Sequence, residues 1–135
     1  MDVFDSETRS RVMRQVKSRD TRPEMRVRRM LHAMGCRYRL HRRDLPGAPD
    51  IVMPGRRRII FVHGCFWHGH DCKAGRKRPA THRDYWDAKL QRNRLRDAEN
   101  LAKLEAMGWR VLIVWECETR DAEALASRLG DFLKD

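Results

Sequence analysis

Residues 50–63 read DIVMPGRRRIIFVH. Two apolar runs, Asp50 to Met53 and Arg58 to His63, flank Pro54-Gly55, and runs of this length bounded by Pro and Gly predict a β-hairpin. The first run opens on an aspartate and the second closes on a histidine. In such a hairpin these two ends lie at the same edge, so the two side chains can converge.

Working outward, the PGAP segment at 46–49 is read as irregular, because prolines flank its glycine, and Cys36 to Leu40 alternates as a strand. Thr21-Arg22-Pro23-Glu24 offers an N-cap, a first-turn proline and a glutamate three residues after the cap. Val27, Met30, Leu31 and Met34 then recur at helical spacing until Gly35, which predicts a capped helix with a glycine stop. Residues 6–18, SETRSRVMRQVKS, carry only Val12, Met13 and Val16 as apolar side chains and predict a thin, basic helix.

Downstream, Thr81 to Asp84 can cap a long helix reaching about Met107, with Gly108 beyond it. Trp109 to Glu116, WRVLIVWE, is nearly all apolar and predicts a strand covered on both faces. A last helix spans about 121–133. The order α-α-β-β-β-α-β-α predicts one mixed α/β domain over residues 1–135, with the hairpin and the 109–116 strand at the centre of its sheet.

The 135 residues include 30 Lys and Arg against 19 Asp and Glu, a formal charge of +11, which points to a polyanionic partner. Self-repulsion for solubility is the bland alternative. No basic amphipathic helix stands apart to suggest a membrane surface. The N-terminal residues lack an apolar leader-like core, and the longest apolar run, at 111–115, is too short to cross a bilayer. The chain is therefore expected to be soluble and unprocessed.

The next segment, VHGCFWHGHDC at 62–72, packs three histidines and two cysteines into eleven residues. Cys65, His70 and Cys72 are spaced closely enough to reach one ion from a tight loop, and Cys117 follows a buried strand that could lie beside it. A Cys3His set suits tetrahedral structural Zn2+, with no open position for chemistry. A reduced loop with a buried Cys117 is the alternative. Cys36 stands outside this group and reads as a small buried hydrophobe.

His63 and His68 are then spare. A carboxylate such as Asp50 beside a histidine, in a basic protein, suits Mg2+-dependent hydrolysis of a phosphodiester, with an imidazole removing a proton from water. An aspartate at a strand start is also an ordinary turn residue, and Trp67 and Trp86 could be ordinary core.

The run VHGCFWHGHDC, with DLPGAPDIV before it, GWRVLIVWEC after it, and the SRDTRPE and TRSRVMRQV segments near the start, closely resembles the very short patch repair (Vsr) DNA mismatch endonucleases over nearly the whole chain. The resemblance implies a restriction-endonuclease-like fold, a mixed sheet flanked by helices with a structural zinc site. His63 stands where that superfamily usually has lysine.

It implies Asp50, with the Val62 backbone carbonyl, as the Mg2+ seat, His63 and His68 near the scissile phosphate, and Glu24 at the metal-water cluster. Zn2+ falls on Cys65, His70, Cys72 and Cys117. Phe66, Trp67 and Trp86 would be driven between base pairs beside the mismatch, with Met13 entering from the other groove on a DNA-contacting helix within residues 1–20. The cost of unstacking is least where a pair is already mismatched.

Val62 stands where threonine is common in the family, and Gly69 where another histidine can occur. The implied reaction is a nick 5′ to the thymine of a T:G mismatch left by deaminated 5-methylcytosine. Its setting would be double-stranded DNA at the bacterial nucleoid, with a monomer working in the cytoplasm beside mismatch-repair proteins. A restriction endonuclease cutting matched duplex and a non-catalytic zinc-stabilised DNA-binding module are the other readings.

Overall fold

A computed structural model describes residues 19–134. The predicted helix at 6–18, with Met13, lies outside the described residues. Helix α1 (Arg22–Ala33) begins where the sequence predicts, with Thr21 Oγ1 accepting from the Glu24 N–H at 3.3 Å. It ends at Gly35, whose φ of 81° lets Cys36 N–H turn back to Leu31 O at 3.0 Å. That turn consumes the start of the expected strand, so β1 is only Arg39–Leu40.

Strands β2 (Ile51–Met53) and β3 (Arg58–His63) form the predicted antiparallel hairpin. Its turn differs from the expected Pro-Gly bend. Pro54–Arg56 is a turn of 3-10 helix, and the left-handed residue is Arg57, at φ 55°. Arg57 is held there from outside the hairpin: its guanidinium stacks on Trp109 at 4.3 Å and donates to Met107 O at 2.7 Å.

After the loop comes a one-turn helix, α2 (Lys73–Arg76), which sequence periodicity is too short to reveal. Helix α3 (Arg83–Ala106) leads to β4 (Arg110–Trp115), a 3-10 stretch (Glu116–Arg120) and α4 (Ala122–Leu133). Thr81 does not cap α3. The N-cap is His82, left-handed at φ 58°, so Thr81 sits one residue too early.

Among the described residues, the strand order β1-β2-β3-β4 corrects one expectation: β4 lies at an edge, paired parallel with β3 alone. Its apolar run reports cover on both faces, not a neighbour on both sides. Alternation makes this plain. Ile51, Met53, Ile60, Leu112 and Val114 pack with Val27 and Leu31 of α1 and Leu125 and Leu129 of α4. Val52, Ile59, Phe61, Val111 and Ile113 pack with Leu104 and Trp109 at the end of α3. The sheet is thus the middle of three layers, and Cys36 is buried in the α1/α4 layer, as expected.

Period two also fixes where function can lie. Asp50 shares the parity of Val52, and His63 that of Phe61, so both face the α3 side at the end where β2 begins and β3 finishes. Leu31 is fully buried between α1 and the sheet, so Leu31→Ala should lower the unfolding free energy by about 2–5 kcal/mol in urea titration.

Candidate active site and metal centre

The segment after β3 folds into tight turns. His70 N–H returns to Cys65 O at 2.9 Å, and His68 N–H to Gly64 O at 3.2 Å. These turns bring Cys65, His70 and Cys72 together with Cys117, whose Sγ lies 3.6 Å from His70 Nδ1. One donor atom from each of the four falls within 4.8 Å of the others.

The sulfurs also receive backbone amides, Cys117 N–H to Cys65 Sγ at 3.4 Å and Gly75 N–H to Cys72 Sγ at 3.3 Å. A Cβ on Gly75 would sit 1.9 Å from the His70 carbonyl oxygen, so glycine is required for α2 to close under the loop. Burial pushes the Cys65 thiol up to about 12, whereas the Gly75 amide pulls that of Cys72 down. A buried thiol of this kind ionises when a cation stands beside it.

His63 and His68, the two spare histidines, stack face to face at 3.7 Å with their planes 4° apart. His68 Nδ1 lies 2.6 Å from Asp97 Oδ2 of α3. Burial, reinforced by the charge of His68, pushes His63 down to about 4, so it is neutral near pH 7. Its Nδ1 is buried without a hydrogen-bond partner. Asp50 Oδ2 accepts the Val62 N–H at 2.7 Å. Burial raises the Asp50 carboxyl to about 6, with Glu24 pushing the same way and the Val62 amide, His41 and His68 opposing.

These groups line one cleft of about 330 Å³ together with Arg19 and His41. A wider groove of about 1050 Å³ runs from Arg22, Arg26 and Arg29 past His63 and His68 to Phe66 and Trp67. The aromatics do not stand out singly. Phe66, Trp67 and Trp86 are half-buried and pack together, Trp67 edge to face with the other two and Phe66 tilted on Trp86, with centroids 5.0 to 6.0 Å apart. Tyr85 extends the cluster, 5.3 Å from Trp86.

Glu24 is 2 % exposed, and its carboxylate accepts from His41 Nε2 at 3.0 Å and Arg28 Nη1 at 3.2 Å. The carboxylate also accepts from the Asp20 amide, not from that of the N-cap Thr21, so of a reciprocal capping box only the Thr21 half forms. Asp20, Glu24 and His41 are close enough to suggest a cation, but the Arg28 guanidinium already bridges the two carboxylates.

Asp97, His41, Trp115 and Gly75 escape sequence reasoning. The trace of Asp97 was there: Asn93 and Asp97 occupy positions on α3 that helical spacing from Leu90 to Leu101 and Leu104 would make apolar.

A basic groove leading to paired imidazoles and a buried carboxylate has the makings of a phosphodiesterase, and relatives of this chain place it among the DNA endonucleases. The family described as DNA mismatch endonuclease Vsr matches residues 1–74, and the protein belongs to that family. The Type II nicking enzyme V.XorIIP of Xanthomonas oryzae pv. oryzae is 53% identical over 132 residues, covering 98% of this chain and 96% of the relative. DNA mismatch endonuclease Vsr of Escherichia coli (strain K12) is 43% identical over 137 residues, covering 98% and 87%. The Type II nicking enzyme V.NmeAIP of Neisseria meningitidis is 38% identical over 134 residues, covering 99% and 95%. Among the described residues, no helix is long and apolar enough to cross a membrane.

The raised Asp50 pKa has a thermodynamic sign. Folded near 6 and unfolded near ~3.9, this group contributes stability that is complete below the lower value and lost as pH rises through the upper. In magnesium-free buffer Asp50→Asn has no charge to bury. Its urea midpoint should therefore rise relative to the unsubstituted protein between about pH 4 and about 6; a difference that stays flat would show that the carboxylate is not desolvated.

Proposed function

We propose that this endonuclease is Mg2+-dependent and nicks duplex DNA 5′ to the thymine of a T:G mismatch, on a restriction-endonuclease-like core in which zinc plays a structural part. The observation that carries the reading is the convergence of Asp50, His63 and His68 on one cleft at the end of β3, with His68 tied to Asp97.

Asp50 and the Val62 carbonyl would hold the magnesium. Because the N–H and C=O of one strand residue point to the same side, the Val62 N–H reaching Asp50 implies that its carbonyl faces the same edge, beyond the end of β2. The orphaned His63 Nδ1 and the desolvated Asp50 carboxyl both fit a site that a cation and a phosphate complete. Bound there, Mg2+ would supply Lewis-acid stabilisation of the phosphate and acidify a coordinated water.

The chain's own groups divide the rest. Asp97 accepts from His68 Nδ1, which leaves Nε2 the more basic nitrogen to take a proton from the attacking water. His63, held neutral by burial, can offer an N–H to a phosphate oxygen without adding a second charge beside His68. Glu24 serves the metal-water cluster from α1. Arginines of α1 would neutralise backbone phosphates.

Phe66, Trp67 and Trp86 form the wedge that enters the mismatch, with Met13 from the opposite groove. Their half-burial in one aromatic cluster gives the wedge a stiff base. Cys65, His70, Cys72 and Cys117 hold zinc and with it the loop bearing the wedge and His68. We place this work in the bacterial cytoplasm at the nucleoid, by a monomer, upstream of repair synthesis and alongside mismatch-repair proteins.

Two assays test the reading. With Mg2+, a duplex carrying T:G should be nicked on the thymine strand while its C:G twin stays whole; equal cutting of both would overturn the mismatch assignment. His70→Ala should lose zinc by elemental analysis, whereas His68→Ala should keep it and stop nicking, and zinc loss in His68→Ala would mean that the two histidines have exchanged roles.

A further inference from the structure

His41 lines the same cleft, yet neither the sequence motifs nor the reaction outlined above gives it a task. Its backbone is left-handed, at φ 49°, a conformation uncommon for residues other than glycine, though Asn, Asp and His enter it more readily than the rest, and one retained where the surroundings over-determine it. Two contacts hold it. The His41 N–H donates to Asp50 O at 3.0 Å, continuing the β1–β2 pairing by one residue. The ring then reaches back across the layer boundary to α1, placing Nε2 at 3.1 and 3.0 Å from the two oxygens of Glu24.

Glu24 is buried, so the direction in which its carboxylate points depends on its donors. Arg28 approaches from its own helix and the Asp20 amide from the residue before the N-cap. Among the described residues, His41 alone donates to Glu24 from the end of β1, and through its backbone it is bonded to Asp50 itself. One residue thus connects the two carboxylates that the proposed reaction sets about the metal.

We infer that His41 is a positioning residue of the nicking reaction, fixing the Glu24 carboxylate relative to Asp50. The inference rests on the reading of Asp50 and Glu24 given above. A hydrogen bond from a donor behind a metal-site carboxylate typically sustains activity or metal affinity by about 10- to 100-fold.

His41→Gly removes the ring and relieves the backbone, so it separates function from stability. His41→Asn tolerates the left-handed backbone but is too short to reach Glu24, and His41→Gln restores length and an N–H donor. Melting temperature, affinity for a T:G duplex in magnesium-free buffer, and single-turnover nicking across a Mg2+ titration should be measured for all three, with Asp50→Ala alongside.

His41→Gly should melt no lower than the unsubstituted protein and bind duplex equally, but nick about 10- to 100-fold more slowly with a higher half-saturating Mg2+. His41→Asn should match it, and His41→Gln should recover part of the loss. Wild-type nicking and Mg2+ dependence in His41→Gly or His41→Asn, with Asp50→Ala inactive, would overturn the positioning role alone, as would equal activity in the Asn and Gln variants. Full nicking by Asp50→Ala would instead overturn the underlying site assignment and this inference with it.

Discussion

The parallel register of β3 on β4 places His63 opposite Trp115, and the three histidines of the loop region gather around that indole. One residue beyond the pair the two strands part, β3 into the loop carrying Cys65 and His70, β4 into the turn carrying Cys117. A slip of one residue would turn His63 to the other face of the sheet and carry Cys117 away from Cys65. Trp115 is the shared wall: His70 stacks on its face at 4.1 Å, and His63 meets it at 5.3 Å with ring planes 73° apart. The Cys-His cluster and the histidine pair are thus two sides of one indole.

Around that wall the charges are kept in tension. Asp50 is a carboxyl that its surroundings would rather keep protonated, and His63 an imidazole that they would rather keep neutral. Both effects have desolvation as their largest cause, since burial penalises the charged form of any group. Glu24 shows the opposite arrangement. It is more deeply buried than Asp50, but Arg28 and His41 surround it with donors. Of the two carboxylates, Glu24 thus has side-chain donors from two elements, whereas Asp50 accepts the Val62 amide.

Much of this was legible in the residues. The hairpin, the glycine-stopped α1 and the two-sided cover of β4 follow from local spacing and period. So does the proximity of Cys65, His70 and Cys72, since all three fall within eight residues. Cys117 was reachable only through a guess about strand neighbours, which the parallel β3–β4 pairing meets. The edge position of β4 was hidden because an apolar run records which faces are covered and not which strands lie alongside. Arg57, not Gly55, takes the left-handed turn because Trp109 and Met107, about fifty residues away, reward it there. Asp97 and His41 are missing from any motif for the same reason: each meets its side-chain partner only through a hydrogen bond to a residue distant in sequence. A polar residue on an apolar helix face is its faint sequence trace in the first case, and there is none in the second.

Phe66, Trp67 and His68 all lie inside the short span that Cys65 and His70 close with a backbone hydrogen bond of 2.9 Å. Their backbone is thereby tied at both ends by the fold itself. Conformational entropy that a floppy reading loop would surrender at each encounter is removed in advance, so such a loop can meet its target as a rigid template. On the function proposed above, a template of this kind would leave deformation to the softer partner, which along a DNA duplex is the pair that does not fit.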